Sequence, residues 1–120
     1  MNNMINAKKE LLEHLMHLQK KCKSSSIKCA TISGGTYHWY WDEYVKNKMD
    51  INLREGYSIG EYEEFLDKLD FEYDNGYGGQ VLHGTVWLME ENTWLERGDY
   101  DGSEWWEYRE CPPIPDKLKA

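Results

Sequence analysis

The chain is poor in three things, and each shortage excludes something. Of 120 residues only three are proline and three are cysteine. The cysteines, Cys22, Cys29 and Cys111, are odd in number and form no CxxC pair. That excludes the even, dense spacing of a secreted disulfide framework and fits reduced thiols. No run approaches the roughly 18 apolar residues of a membrane helix, and no apolar segment follows the N-terminal charges as a secretory signal requires. The expectation is a soluble, cytoplasmic protein. Basic residues are the third shortage, and it is local. Residues 55–110 hold three, Lys68, Arg97 and Arg109, against sixteen Asp and Glu, whereas residues 1–54 hold nine basic and five acidic residues. The net charge of −8 therefore belongs to the second half. Such a surface repels nucleic acid and anionic membranes and attracts basic protein surfaces.

Catalytic patterns are missing too. "DNGYGGQ" lacks the Lys and Ser/Thr of a phosphate-binding loop, so its glycines read as backbone punctuation. Linear spacing shows no Ser/His/Asp or Cys/His constellation. His14 and His17 share a helix face at i, i+3, a spacing that zinc uses only with further ligands; solvent-exposed helix histidines are the plainer reading. His38 and His83 are isolated. No catalytic residue, metal or cofactor is expected.

What is present suits one α+β domain over residues 1–120, in the order α-β-β-α-β-β-β, with a mainly antiparallel sheet packed with two helices. Residues 6–23 read as a helix with Asn6 as N-cap and Leu11, Leu12, Leu15, Met16 and Cys22 near one stripe. "IKCATIS" (27–33) alternates as a strand, with Ile27, Cys29 and Thr31 against Lys28, Ala30 and Ile32. "TYHWYWDEY" is either an aromatic strand extension or a loop, and "DINLREG" is a returning strand. "YSIGEYEEFLDKLDF" carries a capping box, Ser58 and Glu61, and a staple pair, Tyr57 and Tyr62. It predicts a helix over 59–70 burying Ile59, Tyr62, Phe65, Leu66 and Leu69. A three-stranded meander over 81–111 follows, as Val81–Glu90, Thr93–Tyr100 and Ser103–Cys111.

Asp101-Gly102 is a strong two-residue hairpin turn. It sets Tyr100 opposite Ser103, Asp99 opposite Glu104, Gly98 opposite Trp105, Arg97 opposite Trp106 and Glu96 opposite Glu107. A two-residue Glu91-Asn92 turn would place Leu88 beside Leu95 and Met89 beside Trp94. One face then carries Val86, Leu88, Leu95, Arg97, Trp106 and Tyr108 and is the expected core face. The other carries Trp87, Met89, Trp94, Glu96, Trp105, Glu107 and Arg109, with Trp105 covering Gly98. Whether the first helix also covers this second face stays open; left bare, it is the kind of aromatic patch that meets a partner.

Two like-charge pairs, Asp99–Glu104 and Glu96–Glu107, break the cross-strand rule. Glu63, Asp67 and Asp70 line one helix stripe with no cation between them, two of them at the end whose dipole prefers cations. Local rules fail most often at functional places, although an acidic solvated face is the bland alternative. Glu96 and Glu107, about 5 Å apart and flanked by tryptophans, also match the carboxylate separation of a retaining glycosidase.

"LDFEYDNGYGGQVLHGTVWL" and "TWLERGDYDGSEWWEYRECPPIP" resemble a family of small, uncharacterised proteins encoded in phage and prophage genomes. The resemblance covers about residues 55–115, with weaker likeness at "LLEHL" and "KCATI", and none is expected at "TYHWYWDEYVKNKMD". It implies a context: phage accessory genes often encode inhibitors of host defence. The expectation is then a non-enzymatic inhibitor of anti-CRISPR or anti-restriction type in the bacterial cytoplasm. It would occlude a basic nucleic-acid-binding surface of a host protein complex without binding nucleic acid itself. The expected partner-binding residues are Glu63, Glu64, Asp67 and Asp70 of the helix, Glu96, Asp99, Asp101, Glu104 and Glu107 of the hairpin, and Trp87, Trp94 and Trp105. The alternative is a sugar- or nucleotide-binding module, or a carboxylate-pair hydrolase, on the Trp/Glu face.

Overall fold

Helix boundaries follow from their caps. The computed structural model describes residues 4–21, 23, 25–34, 49–76, 81–100 and 103–120. Helix α1 spans Ala7–Lys20, and the Asn6 side chain accepts the Lys9 N–H at 3.0 Å, as an N-cap should. Its buried stripe is Ala7, Leu11, Leu15 and Leu18. Met16, expected in that stripe, is 58% exposed. It lies a step of about 100° round the helix from Leu15, and the stripe continues three residues on, at Leu18. Cys22 is outside the described residues.

Helix α2 spans Ile59–Lys68 with the full capping box: Ser58 Oγ accepts the Glu61 N–H at 3.1 Å, and the Glu61 carboxylate accepts the Ser58 N–H at 3.3 Å. The staple tyrosines meet, with the rings of Tyr57 and Tyr62 stacked at 5.6 Å. Phe65 and Leu69 are buried, with Tyr62 and Leu66 packed against them. Ile59 is instead 78% exposed, and Tyr57 and Tyr62 fill that end of the stripe.

The main sheet is antiparallel throughout, in the order β3-β2-β5-β6-β7. Its strands are β2 (Ile27–Gly34), β3 (Met49–Leu53), β5 (Leu82–Leu88), β6 (Thr93–Tyr100) and β7 (Ser103–Glu110). The expected α-β-β-α-β-β-β order holds. In addition, β1 (Met4–Asn6) and β4 (Glu72–Asp74) form a separate two-stranded ribbon at the foot of α1. Three-residue strands are too short to show an alternation, so the ribbon left no sequence signal.

The β6–β7 register is the one that the Asp-Gly turn predicts, from Tyr100↔Ser103 to Trp94↔Arg109; the turn itself lies outside the described residues. The β5–β6 register differs. Val86 pairs with Leu95 and Trp87 with Trp94, because the connection is the four-residue Met89–Asn92 loop and not a two-residue turn. Asn92 takes a positive φ of 63°, and Thr93 Oγ1 donates to the Glu90 carbonyl. The slip is two residues, so every side chain keeps its face. In β2 an irregularity between Ile27 and Cys29 resets the alternation, so Ile27, Ala30 and Ile32 all point inward. Gly84, at φ +148°, lets β5 approach β2: a Cβ there would lie 2.2 Å from the Thr31 carbonyl oxygen.

One face of the sheet carries the core. Ile32, Ile51, Leu53, Val86, Leu88, Leu95 and Trp106 meet Leu11, Leu15 and Leu18 of α1 and Phe65 of α2 there. Both helices therefore cover the same, inner face.

Candidate functional site

The outer face answers the open question about the tryptophans. Trp87 and Trp94 are direct cross-strand neighbours, and Trp87 is 42% exposed. Trp94 and Trp105 are half-buried, and no helix among the described residues lies over them. Trp105 faces Gly98 across the hairpin; a Cβ on Gly98 would lie 2.9 Å from the Trp105 indole nitrogen. The indole N–H donates to Glu107 at 2.9 Å.

Glu96 and Glu107 do oppose each other, but not as a bare like-charge pair. Arg109 reaches Glu96 at 2.9 Å and Glu107 at 2.6 Å. The missing partner was on the same face in the sequence, two residues beyond Glu107. Both carboxylates are thus engaged on an open surface. The groove beside them, about 330 Å³, is lined by Lys28, Trp87, Trp94 and the β5–β6 loop, without Glu96 or Glu107.

Glu104 is the clearest correction. Expected on a partner surface, it is 2% exposed. It shares the parity of Trp106 and Tyr108, so it turns into the core. Its carboxylate accepts from Arg97 at 2.7 Å and from the backbone N–H groups of Val81 and Leu82 at 2.6 and 2.9 Å. Its own N–H donates to the Asn75 carbonyl. It therefore joins β7 to the start of β5 and the end of β4. The supposed Asp99–Glu104 repulsion is absent, because the two side chains leave in different surroundings: Glu104 inward to Arg97, Asp99 to solvent.

Arg97 is the hub of this buried network. Besides Glu104 it reaches Glu10 of α1 at 3.3 Å and the Tyr73 hydroxyl at 2.9 Å, and its guanidinium stands 4.8 Å from the Trp106 ring. The Tyr73 hydroxyl donates to Glu10. Burial pushes the Glu10 carboxyl above its ordinary range, against the opposing pull of Tyr73 and Arg97. Burial and the bond to Glu10 push the Tyr73 phenol well above its own. The signal in the sequence was an Arg and a Glu on the inward parity of adjacent strands, diagonal to one another. Glu10 had no such signal, because only tertiary packing brings α1 over β6.

Helix α2 presents Glu63, Glu64 and Asp67 to solvent, on the side of the molecule away from the outer sheet face. Lys68 lies 3.7 Å from Glu64. Asp70, expected to lack a cation, has Lys8 at 3.7 Å and accepts from the Asn6 side chain at 2.8 Å, which ties it to the start of α1. No cation stands against Glu63 or Asp67 among the described residues. Asp101 lies outside the described residues. The structure thus divides the expected partner-binding set in two: an acidic row on α2, and a Trp face with arginine-bridged acids on the opposite side.

Comparison with protein-family models, with curated proteins and with solved structures returns no match. Among the described residues no cluster of His, Cys, Asp or Glu is arranged to hold a metal ion. The His14 and His17 rings lie 6.4 Å apart and tilted. Burial, and then His17, lower the His14 pKa, and its buried Nε2 has no hydrogen-bond partner. Burial likewise raises the Cys29 thiol, which disfavours the reactive thiolate. No helix among the described residues is long and apolar enough to cross a membrane.

Proposed function

We propose that this protein is a non-enzymatic, phage-type inhibitor that occludes a basic nucleic-acid-binding surface on a host defence complex, of the anti-CRISPR or anti-restriction kind. The observation that carries the proposal is where the few cations of residues 55–110 go. Arg97 is buried between Glu10 and Glu104, Arg109 bridges Glu96 and Glu107, and Lys68 pairs with Glu64. Glu63 and Asp67, one turn apart on α2, face solvent with no cation against them among the described residues, with Glu64 beside them and Glu72 exposed on the adjoining ribbon. Carboxylates held on a capped helix compete with phosphates for Lys and Arg at little entropic cost. They also steer association, which makes binding sensitive to salt.

The reading is tested by tagged capture from a bacterial lysate that carries defence systems, at low and high salt, with Glu63→Lys/Asp67→Lys in parallel. A nuclease or defence complex retained by the native chain, and lost both at high salt and on charge reversal, supports it. Capture that ignores the reversal overturns it.

The outer face favours a second reading, a sugar- or nucleotide-binding module. Trp87 and Trp94 offer adjacent aromatic surface for stacking, and Trp87 is exposed. Trp87→Ala separates the two: it abolishes small-ligand binding and leaves α2-mediated capture unchanged.

A further inference from the structure

Apart from both surfaces stands the segment that follows β7. Residues 111–120 are exposed throughout, and none of them joins the core. Two of the exposed side chains are large and apolar, Ile114 at 62% and Leu118 at 68%. Yet the segment is held at both ends. The Cys111 N–H donates to the Asn92 carbonyl at 2.9 Å. A 3-10 turn, Asp116–Leu118, is closed by the Leu118 N–H on the Pro115 carbonyl, also at 2.9 Å.

The sequence between these anchors, Cys-Pro-Pro-Ile-Pro, restricts its own backbone. Each proline ring fixes φ near −65°. Cys111, Pro112 and Ile114 each precede a proline, which keeps them out of the helical region. Pro115 has φ −61° and ψ 146°, the polyproline II values. That helix has three residues per turn, so Pro112 and Pro115 share one edge, with Ile114 beside Pro115. Lys117 follows two residues on. Lys119 pairs with Asp116 at 3.3 Å, and no carboxylate stands against Lys117 among the described residues.

The chain's own aromatic face does not take this segment. Asn92, its anchor, also lines the groove beside Trp87 and Trp94. The segment therefore starts next to that groove, but its prolines and Ile114 stay in solvent. A preorganised polyproline II strand with apolar edges binds at low entropic cost, and aromatic-lined grooves are the surfaces that read Pro-x-x-Pro.

We propose that residues 112–117, Pro-Pro-Ile-Pro-Asp-Lys, are a presented ligand for a partner protein with a proline-reading groove of the SH3 kind. Aromatic rings of the partner take Pro112, Ile114 and Pro115, and a carboxylate at the groove's end takes Lys117 and fixes the direction of binding. This contact is separate from the proposed role of α2.

The test is a titration of the isotope-labelled full chain with a purified SH3 domain that prefers Pro-x-x-Pro-x-basic ligands, followed by amide NMR shifts. The same domain with one groove aromatic replaced by alanine is the blank. The expected result is saturable shifts at Cys111, Ile114, Asp116 and Lys117, none at Glu63 or Asp67, and none with the blank. Pro115→Ala should weaken binding at least about tenfold, the scale of a buried interface anchor. Lys117→Glu should weaken it by up to about fivefold for each exposed ion pair lost. Glu63→Gln/Asp67→Asn should leave it unchanged. The tested side chains are exposed, so these variants keep the fold. Absence of saturation, shifts centred on α2 or indifference to Pro115→Ala would each overturn the assignment. So would concentration-dependent shifts at 111–117 in the chain alone that vanish in Trp87→Ala, since the occupant would then be the Trp face of a second copy.

Discussion

Glu104→Gln separates a core carboxylate from a surface one. Oε1 of Glu104 accepts from Arg97 and from the Leu82 N–H, and Oε2 accepts from the Val81 N–H. Glutamine has the same shape but only one acceptor. Whichever way its amide turns, the NH₂ meets donors: the Val81 N–H on one side, or Arg97 and the Leu82 N–H on the other. Arg97, 1% exposed at its side chain, also loses the closer of its two carboxylates. Breaking a buried pair by removing one partner costs about 3–5 kcal/mol. Because the variant keeps its volume, about 3 kcal/mol is the expected loss. For a chain of this size, interpolating between smaller and larger domains, that lowers Tm by roughly 10–18 °C. Urea unfolding followed by far-UV circular dichroism measures it. Glu107→Gln is the control: three residues away on the same strand, on the outer face, bridged by a half-exposed Arg109, it should cost about 1 kcal/mol or less. Equal, small losses in the two variants would refute the assignment of Glu104 to the core.

Other outcomes follow from the same geometry. Ser58→Ala removes the cap of α2 and should cost about 1 kcal/mol, read from the shift in urea midpoint. Glu10 has a raised carboxyl pKa in the folded state, so its contribution favours folding fully below the ordinary carboxylate value and is lost as pH rises through the raised one. The stability of the native chain relative to Glu10→Gln should therefore decline on going from about pH 4.5 towards neutrality; a difference that rises with pH contradicts the burial of Glu10. Gly84→Ala places a Cβ against the Thr31 carbonyl at an unfavourable φ and should cost about 3 kcal/mol or more, with loss of native chemical shifts in β2 and β5.

Much of the frame was legible because its signals are local. A capping box and a staple determine where α2 begins, and an Asp-Gly dipeptide determines the β6–β7 register, with no help from the rest of the chain. The β5–β6 register was misjudged by two residues, since a four-residue loop and a two-residue turn leave the same alternation on either side. The candidate site was less legible. Glu96 and Glu107 looked repulsive only because Arg109 was not counted as their partner. Glu104 looked like a surface acid because buried carboxylates are rare without partners, and its partners, Arg97 and two backbone N–H groups at the start of β5, are supplied by the fold.

The proposed inhibition is tested most directly on the nucleic acid itself. A captured host complex is loaded with fluorescent nucleic acid, the native chain is added at low salt, and anisotropy reports release. The account predicts stoichiometric release by the native chain and by Trp87→Ala, weakened at high salt, and none by Glu63→Lys/Asp67→Lys. Retention of the nucleic acid in the presence of bound native chain, or equal release by the charge-reversed variant, would contradict it.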